Sequence, residues 1–441
     1  MSRRRRWTPV SGTGNRVYDA RERLALFALD LPGRLLLGGP ARWRRRRAAP
    51  VDPGALREVL VLRLDRIGDL LMSLPALASL RAALPQARIR LAVPGWSAEI
   101  AGRAPVDEVL VWSPPWAGRA QEGADSWPAL LGKARALRAQ RLDLALDLQG
   151  DVRASLLMWL SGAGERVGYA NTGGAYFLTR VVPLDETVSW VEQNRRAVRV
   201  ALGPLGGLGG KAPRGTLPGQ GDAVAGKPPS AAGRALPGPH SIEAERARGE
   251  RLLAEHGATR RPLVGLHPSG GRAIKQWDLA RWADVAARLQ REYGATVVVT
   301  GSAADRALAE RVSAGLPRPV TDLTGKLGVR DTMAAIGALD LFLSPDTGPM
   351  HMAATVDTPS VSVFGPSDPG RYFSGGGGAP GTRHVVVRAD LWCSPCNLIR
   401  RPPAECAGPA GPECLRLVSV DDVHREAARL LRAAGYAPSA A

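Results

Sequence analysis

Two α/β halves, each a parallel sheet covered by helices and together facing a shared cleft, are what this sequence predicts. Three observations lead there. Residues 55–200 alternate continuous apolar runs with helical patterns. The same rhythm returns over 241–441. Between them, residues 201–240 hold 11 Gly and 7 Pro with no periodicity, the composition of a linker. Unbroken apolar strands between helices imply burial on both faces and hence parallel pairing. Two such halves bind ligands at the carboxyl ends of their strands. A length of 441 residues suits two or three domains with substantial cores.

The chain opens on a basic head. Residues 1–50 carry 13 Arg against Asp19, Glu22 and Asp30, so +10 of the formal +18 lies there. A short amphipathic helix is expected over about 18–31, between arginine clusters at 3–6 and 42–47 that bracket Trp7 and Trp43. The head reads either as a peripheral anchor on an anionic membrane surface or as a disordered basic extension. Only five of the 59 basic residues are Lys. That bias, with the abundant Ala and Gly, suggests a GC-rich genome, so codon usage accounts for part of the arginine excess. The longest apolar run of the folded part, Leu70–Leu80, contains Pro75 and is about half the roughly 20 residues a membrane span needs. Asp30, Pro32 and Arg34 break the N-terminal apolar stretch, which makes a poor signal peptide. A cytoplasmic protein is expected, with or without peripheral attachment to the inner membrane face.

Residues 55–203 form the first half. Its expected strands are Glu58–Leu64, Arg88–Val93, Glu108–Trp112 and Asp143–Leu148, and its helices Leu70–Ala83, Trp127–Gln140, Val152–Ser161 and Ser189–Leu202. The first βα turn, in VLVLRLDRIGDLLMSLPAL (59–77), has one glycine, Gly68, and no G-x-G-x-x-G. That argues against a dinucleotide-binding dehydrogenase or an NAD-dependent epimerase. The turn carries Arg63, Asp65, Arg66 and Asp69 instead. A carboxylate at a strand's carboxyl end can act as general base on a hydroxyl, and arginines beside it can hold a phosphorylated or acidic acceptor. The plainer alternative makes Asp69 a helix cap and leaves the arginines solvated.

After the linker at 204–240, the second half covers 241–441. Its expected strands are Pro262–Leu266, Ala295–Thr300, Ala338–Leu343, Ser360–Phe364 and His384–Arg388. Its helices are Ile242–His256, Leu279–Tyr293, Ala304–Gly315, Asp331–Ile336 and Val420–Ala434. The stretch LVGLHPSGGRAIKQW (263–277) ends a strand in a glycine turn where Lys275 can neutralise a diphosphate. Gly270–Gly271 is not a Walker A loop, and His267 reads as a packed histidine. In LFLSPDTGPMHMAA (341–354) a strand, a sharp turn and a helix start follow within fourteen residues. Such a turn aims backbone N–H groups and the positive end of the helix dipole at one spot suited to an anion. Asp346, Thr347 and His351 stand on or just after it; on the plainer reading Asp346 or Thr347 only caps the helix.

All four cysteines fall at 393–414 in the pattern C-x2-C-x9-C-x7-C. The Cys393–Cys396 pair has zinc-ligand spacing, and Cys406 and Cys414 complete a possible structural set. Free thiols or a disulfide arrangement are the alternatives.

Taken together, RLDRIGDLLMSLPAL, DLALDLQGDVRASLL (143–157), GLHPSGGRAIKQW, SPDTGPMHMAA and SVFGPSDP (362–369) resemble, in order and spacing, the heptosyltransferases of glycosyltransferase family 9. The resemblance covers about 57–203 and 243–435. It implies a GT-B fold of two Rossmann-like, doubly wound domains, with the acceptor on the first and a nucleotide sugar, ADP-heptose in the best-known members, on the second. The implied reaction is inverting transfer to a lipid-linked or cell-envelope glycan, with no catalytic metal. By position, Asp69 corresponds to the base, Lys275 to the lysine on the donor phosphate and Asp346 to the aspartate on the donor sugar. Thr347 and Gly348 fall in the turn beside the diphosphate, His351 on the following helix, and Ser269 where small hydroxyl residues approach the phosphates. Where some members carry a glutamate near the donor this chain has Ser302-Ala303-Ala304-Asp305, which leaves Asp305 as a possible substitute. Acceptor-side candidates are Arg63, Arg66, Gln149 and Arg153. Two other readings stand beside this one: a GT-B transferase with a different donor, and a non-catalytic, basic, zinc-bearing protein for nucleic acid or membrane. Nucleic acid is disfavoured, because over half the excess charge lies in the head and the strand-end motifs would go unexplained.

Overall fold

The computed structural model describes residues 20–46, 51–117, 123–203, 242–375, 382–399 and 402–439; the expected linker lies outside them. The N-terminal helix α1 (Ala20–Arg46) precedes the first half, which holds strands β1 (Glu58–Leu62), β2 (Arg88–Val93), β3 (Glu108–Val111), β4 (Leu144–Asp147), β5 (Glu165–Gly168) and β6 (Arg180–Val181). Interleaved with them are helices α2 (Ile67–Ala83), α3 (Ala98–Ala101), α4 (Trp127–Ala136), α5 (Val152–Leu160) and α6 (Trp190–Leu202). The second half holds β7 (Leu263–Leu266), β8 (Thr296–Val299), β9 (Thr321–Asp322), β10 (Leu341–Pro345), β11 (Ser360–Phe364) and β12 (His384–Arg388). Around these lie α7 (Ile242–Glu255), α8 (Leu279–Tyr293), α9 (Arg306–Ser313), α10 (Val329–Gly337), α11 (Gly348–Thr355), α12 (Pro369–Tyr372), α13 (Ala404–Ala407), α14 (Glu413–Arg416) and α15 (Val420–Ala433).

Each half is one six-stranded, all-parallel sheet. The orders are β3-β2-β1-β4-β5-β6 and β12-β11-β10-β7-β8-β9, the same doubly wound topology twice. Strand order reverses between β1 and β4 and again between β7 and β10. At these switch points Leu62 pairs with Asp147 and Leu343 with Leu266. Central strands are apolar on both faces because helices cover both; Val59, Leu60, Val61 and Leu62 are all fully buried. Helix ends follow local chemistry. Ser189 caps α6 through the Glu192 N–H, and Asp278 caps α8 through the Ala280 and Arg281 N–H groups.

The halves share packing. Met352 and Ala353 of α11 belong to the same apolar cluster as Leu70 and Leu71 of α2. Arg103, just after α3, pairs with Glu245 of α7 at 2.9 Å, both side chains buried.

Three departures from the sequence reading have identifiable physical causes. The strands β5, β6 and β9 were not expected: β6 and β9 are only two residues long, and β5 opens on the charged pair Glu165-Arg166. β10 starts at Leu341 rather than Ala338, which instead ends α10. Helix α1 continues past 31 to Arg46 through Pro32 and Pro40, residues that normally interrupt a helix. Docking supports it: the buried Asp30 carboxylate accepts from the Gly174 N–H at 2.7 Å, and Arg45 donates to the Ala175 carbonyl at 2.5 Å.

Candidate functional site

At the first switch point β1 ends and the chain turns through Arg63 to Arg66 into α2. Arg66 occupies the cap position and is exposed, while Asp69 lies in the first helical turn, so Asp69 is not the cap. Arg63 is only 2% exposed. Its guanidinium donates to the Leu148 carbonyl beyond β4, lies 3.1 Å from Asp65 and stands 3.5 Å from Asp69. The expectation that Arg63 faces an acceptor is therefore corrected. It points inward, ties the ends of β1 and β4 together and holds Asp69 in place.

Sequence reasoning named Asp65 in this turn without giving it a role and missed the buried carboxylate of Asp147. Asp147, at the end of β4, accepts the Gln149 and Gly150 N–H groups at 2.9 Å, yet burial raises it to about 7. Burial likewise pushes Asp65 to about 8 against the pull of Arg63, with Asp69 and Asp147 adding to the rise. The signal for Asp147 was present in the sequence, since it closes an apolar strand at the switch point. Gln149 lies in the turn after β4 with its Oε1 buried and unpaired. Arg153 at the start of α5 forks onto Asp151, at 2.8 and 2.5 Å, and stacks over the Trp116 ring at 4.7 Å.

The second switch point carries the other cluster. Beyond β7 the chain folds back so tightly that a side-chain carbon on Gly270 would meet the Lys275 backbone at 2.6 Å, which requires glycine there. The fold-back brings Lys275 Nζ to 2.7 Å from Asp346 Oδ2, at the end of β10, with both side chains largely buried. Asp346 is thus a charge partner rather than a cap. Thr347 holds the cap position of α11 without a side-chain bond to the helix, and the space beside Gly348 is open. The start of α11 thus has open space at Gly348, two residues beyond Asp346 and its lysine partner, an arrangement suited to an anion.

Ser269 lies beside Asp305, whose carboxylate also takes the Ser302 N–H at 2.9 Å and hydroxyl at 2.7 Å. Burial pushes Asp305 up, but these hydrogen bonds and His267 prevail and leave it lowered. His267 is a packed histidine, as expected: buried, with Nδ1 3.1 Å from the Thr300 carbonyl oxygen.

The two clusters meet at His351. Its Nδ1 lies 3.0 Å from the Ser374 hydroxyl, and the far edge of its ring rests on Gly68 of α2. Burial lowers the imidazole to about 4, with Asp346 and Asp69 opposing and Lys275 adding to the fall. It is accordingly neutral at neutral pH, between the carboxylate of one half and the ion pair of the other. Tyr372, which sequence reasoning also missed, bridges the same gap through a hydrogen bond with Trp190 of α6. It lies just beyond the SVFGPSDP stretch that had already been noticed.

The cysteines do not form the expected zinc site. Cys393, Cys396, Cys406 and Cys414 are free thiols, and no group of three or more His, Cys, Asp or Glu able to hold a metal exists among the described residues. They are neighbours all the same: burial lifts Cys414 to about 11, and the other three add to the rise. Cys406 and Cys414 ride on separate short helices, α13 and α14, and Cys393 is exposed.

Comparison with known proteins fits this geometry. The family described as Glycosyltransferase family 9 (heptosyltransferase) matches residues 229–403. Lipopolysaccharide heptosyltransferase 2 of Salmonella typhimurium is 25% identical over 322 residues, covering 71% of this chain and 84% of that protein. Among solved structures, the E. coli ADP-heptose lps heptosyltransferase II superposes with a TM-score of 0.63 at 21% identity, over 86% of this chain and 99% of its own. E. coli heptosyltransferase WaaC with ADP gives 0.54 at 20% identity, over 76% and 93%.

Proposed function

We propose that this chain, a glycosyltransferase that matches the family 9 model over residues 229–403, belongs to that family and moves a heptose from ADP-heptose to a lipid-linked or envelope glycan. The observation that carries the reading is the Lys275–Asp346 pair beside the open start of α11, facing Asp69 across the His351–Gly68 contact. Relatives named for ADP-heptose and for lipopolysaccharide, and a neighbour solved with ADP, support the choice of donor and of pathway.

The groups present support the following reaction. The acceptor hydroxyl attacks the anomeric carbon from the side opposite the leaving diphosphate, which inverts the configuration. Asp69 takes the hydroxyl proton, its carboxylate steadied by Arg63. Charge gathers on the departing phosphate, where Lys275 and the first N–H groups of α11 stabilise it without a metal. Asp346 accepts from donor-sugar hydroxyls and keeps Lys275 in position. Neutral His351 can hydrogen-bond without adding a charge. Thr347, Gly348 and Ser269 border the diphosphate, and Asp305 orders the loop beside Ser269. On the acceptor side, Arg66 offers an exposed cation, and Gln149 and Arg153 line the β4 end.

A donor screen tests the reading. Thermal shift or calorimetry would compare ADP-heptose with UDP-, GDP- and other ADP-sugars on the wild type and Lys275→Ala. Selective stabilisation by ADP-heptose, lost in the variant, is expected. Preference for another nucleotide sugar would keep the transferase and overturn the donor. No response to any nucleotide sugar would sink the proposal.

A further inference from the structure

Helix α1 has two unlike faces. Asp30, Gly33 and Arg45 face the protein. The Asp30 carboxylate takes the Gly174 N–H and hydrogen-bonds Tyr176, a side-chain carbon on Gly33 would collide with the Tyr176 ring, and Arg45 reaches the Ala175 carbonyl. The helix is thereby fastened to the segment around Gly174, which packs on Val152 and Ser155 of α5 beside the acceptor-side turn.

The other face is apolar and faces water. Leu24, Phe27, Leu31 and Leu35 recur at three- and four-residue steps, the spacing of one helical stripe. Leu24, Leu35 and Leu36 are 70%, 75% and 76% exposed. Large exposed side chains in one such patch mark a binding surface rather than ordinary scatter. Arginine accompanies the stripe: Arg34 and Arg42 are exposed, and α1 carries seven Arg against Glu22 and Asp30. No helix among the described residues is long and apolar enough to cross a membrane.

We propose that α1 lies on an anionic lipid surface, its exposed leucines and Phe27 among the acyl chains at the interface and the exposed Arg34 and Arg42 on the acidic headgroups. Charge decides the occupant. A nucleic acid would use the arginines and leave the aliphatic stripe in water, whereas an anionic bilayer satisfies both. The docking by Asp30 gives the contact a purpose, because it holds the acceptor-side turn at a fixed distance from the surface where a lipid-linked acceptor resides. Lipid binding itself does not depend on the donor proposed above, and it is measured without sugar transfer.

The test is flotation of the full-length protein with vesicles of phosphatidylcholine containing phosphatidylglycerol, and in parallel with pure phosphatidylcholine. The wild type is expected to float with the first and remain behind with the second. The quadruple variant Leu24→Ser/Phe27→Ser/Leu31→Ser/Leu35→Ser is expected to lose at least about tenfold in partitioning while keeping its thermal midpoint. Leu35→Glu, a single change at an exposed position, should move in the same direction and guards against misfolding of the quadruple variant. Equal flotation of wild type and both variants overturns the proposal. So does equal binding of the wild type to neutral vesicles, or failure to bind either kind, which is the result a protein partner for this face would give.

Discussion

His351 of α11 lies so close to Gly68 of α2 that a side-chain carbon on the glycine would stand 2.8 Å from its Cδ2 and 3.2 Å from its Nε2. The imidazole is buried and held at its other side by Ser374, so it has little room to withdraw. Gly68→Ala should therefore cost about 1–3 kcal/mol of stability as an overpacked contact and lower transfer activity, because the contact sets the spacing of the two halves. A double-mutant cycle with His351→Ala isolates the cause. With the ring removed, the alanine should add almost no further destabilisation, and an undiminished penalty would place the strain elsewhere.

Lys275 and Asp346 form a largely buried pair at 2.7 Å. Removing the lysine leaves an uncompensated carboxylate, and breaking such a pair typically costs about 3–5 kcal/mol. Lys275→Ala should lower the thermal midpoint and also lose the stabilisation conferred by ADP. The double variant Lys275→Met/Asp346→Asn should recover the midpoint but not the response to nucleotide. Thermal shift with and without ADP separates the two effects, and an ADP response retained in the double variant would exclude Lys275 from the phosphate site.

The pH dependence of stability has two opposing sources. The folded pKa of His351 is lowered to about 4 from about 6.5, so below pH 6.5 the unfolded chain takes up a proton that the folded one refuses. Stability should then fall by up to about 3 kcal/mol as pH drops from 6.5 to 4. Asp65 and Asp147 act in the other direction. Their folded values, about 8 and about 7, lie above the ordinary carboxylate value of 3.8, so the stability they contribute is full below that value and is lost as pH rises from there to about 7 and 8. Denaturant unfolding over a pH series should show the loss on falling from pH 6.5 to 4 shrink in His351→Asn and the loss on rising toward pH 8 shrink in Asp65→Asn. If neither variant changes its own limb, the burial assigned to these groups is wrong.

Much of this site was legible because each half announces its switch point locally. The strand-end turns at 63–69 and 345–348 combine an apolar run, a charged or glycine turn and a helix start within a few residues, and those three signals need no tertiary information. Other features depend on partners distant in sequence. Arg63 faces inward because the Leu148 carbonyl, 85 positions away, accepts from it. Helix α1 persists through two prolines because Gly174 and Ala175 hold it, and nothing near residue 32 predicts that. Cysteine spacing suggested a metal, but spacing along the chain does not fix ligand geometry, and among the described residues no group of three or more ligands is placed to hold one.

Arg103 and Glu245 offer the most direct test of how the halves are held. Their side chains are 1% and 2% exposed and 2.9 Å apart, one from each half, and Arg330 approaches the same carboxylate at 3.6 Å. Burial lowers the Arg103 guanidinium from its ordinary value, and Glu245 resists that fall. In Glu245→Leu, Arg330 can turn toward water because it is partly exposed, but Arg103 is left charged in an apolar setting. The single variant should lose about 3–5 kcal/mol, whereas Arg103→Met/Glu245→Leu, which removes both charges and keeps the volume, should unfold near the wild-type midpoint. Urea unfolding followed by tryptophan fluorescence measures all three proteins. A double variant as unstable as the single one would mean that the pair joins the halves through its shape and hydrogen bonds rather than through charge compensation.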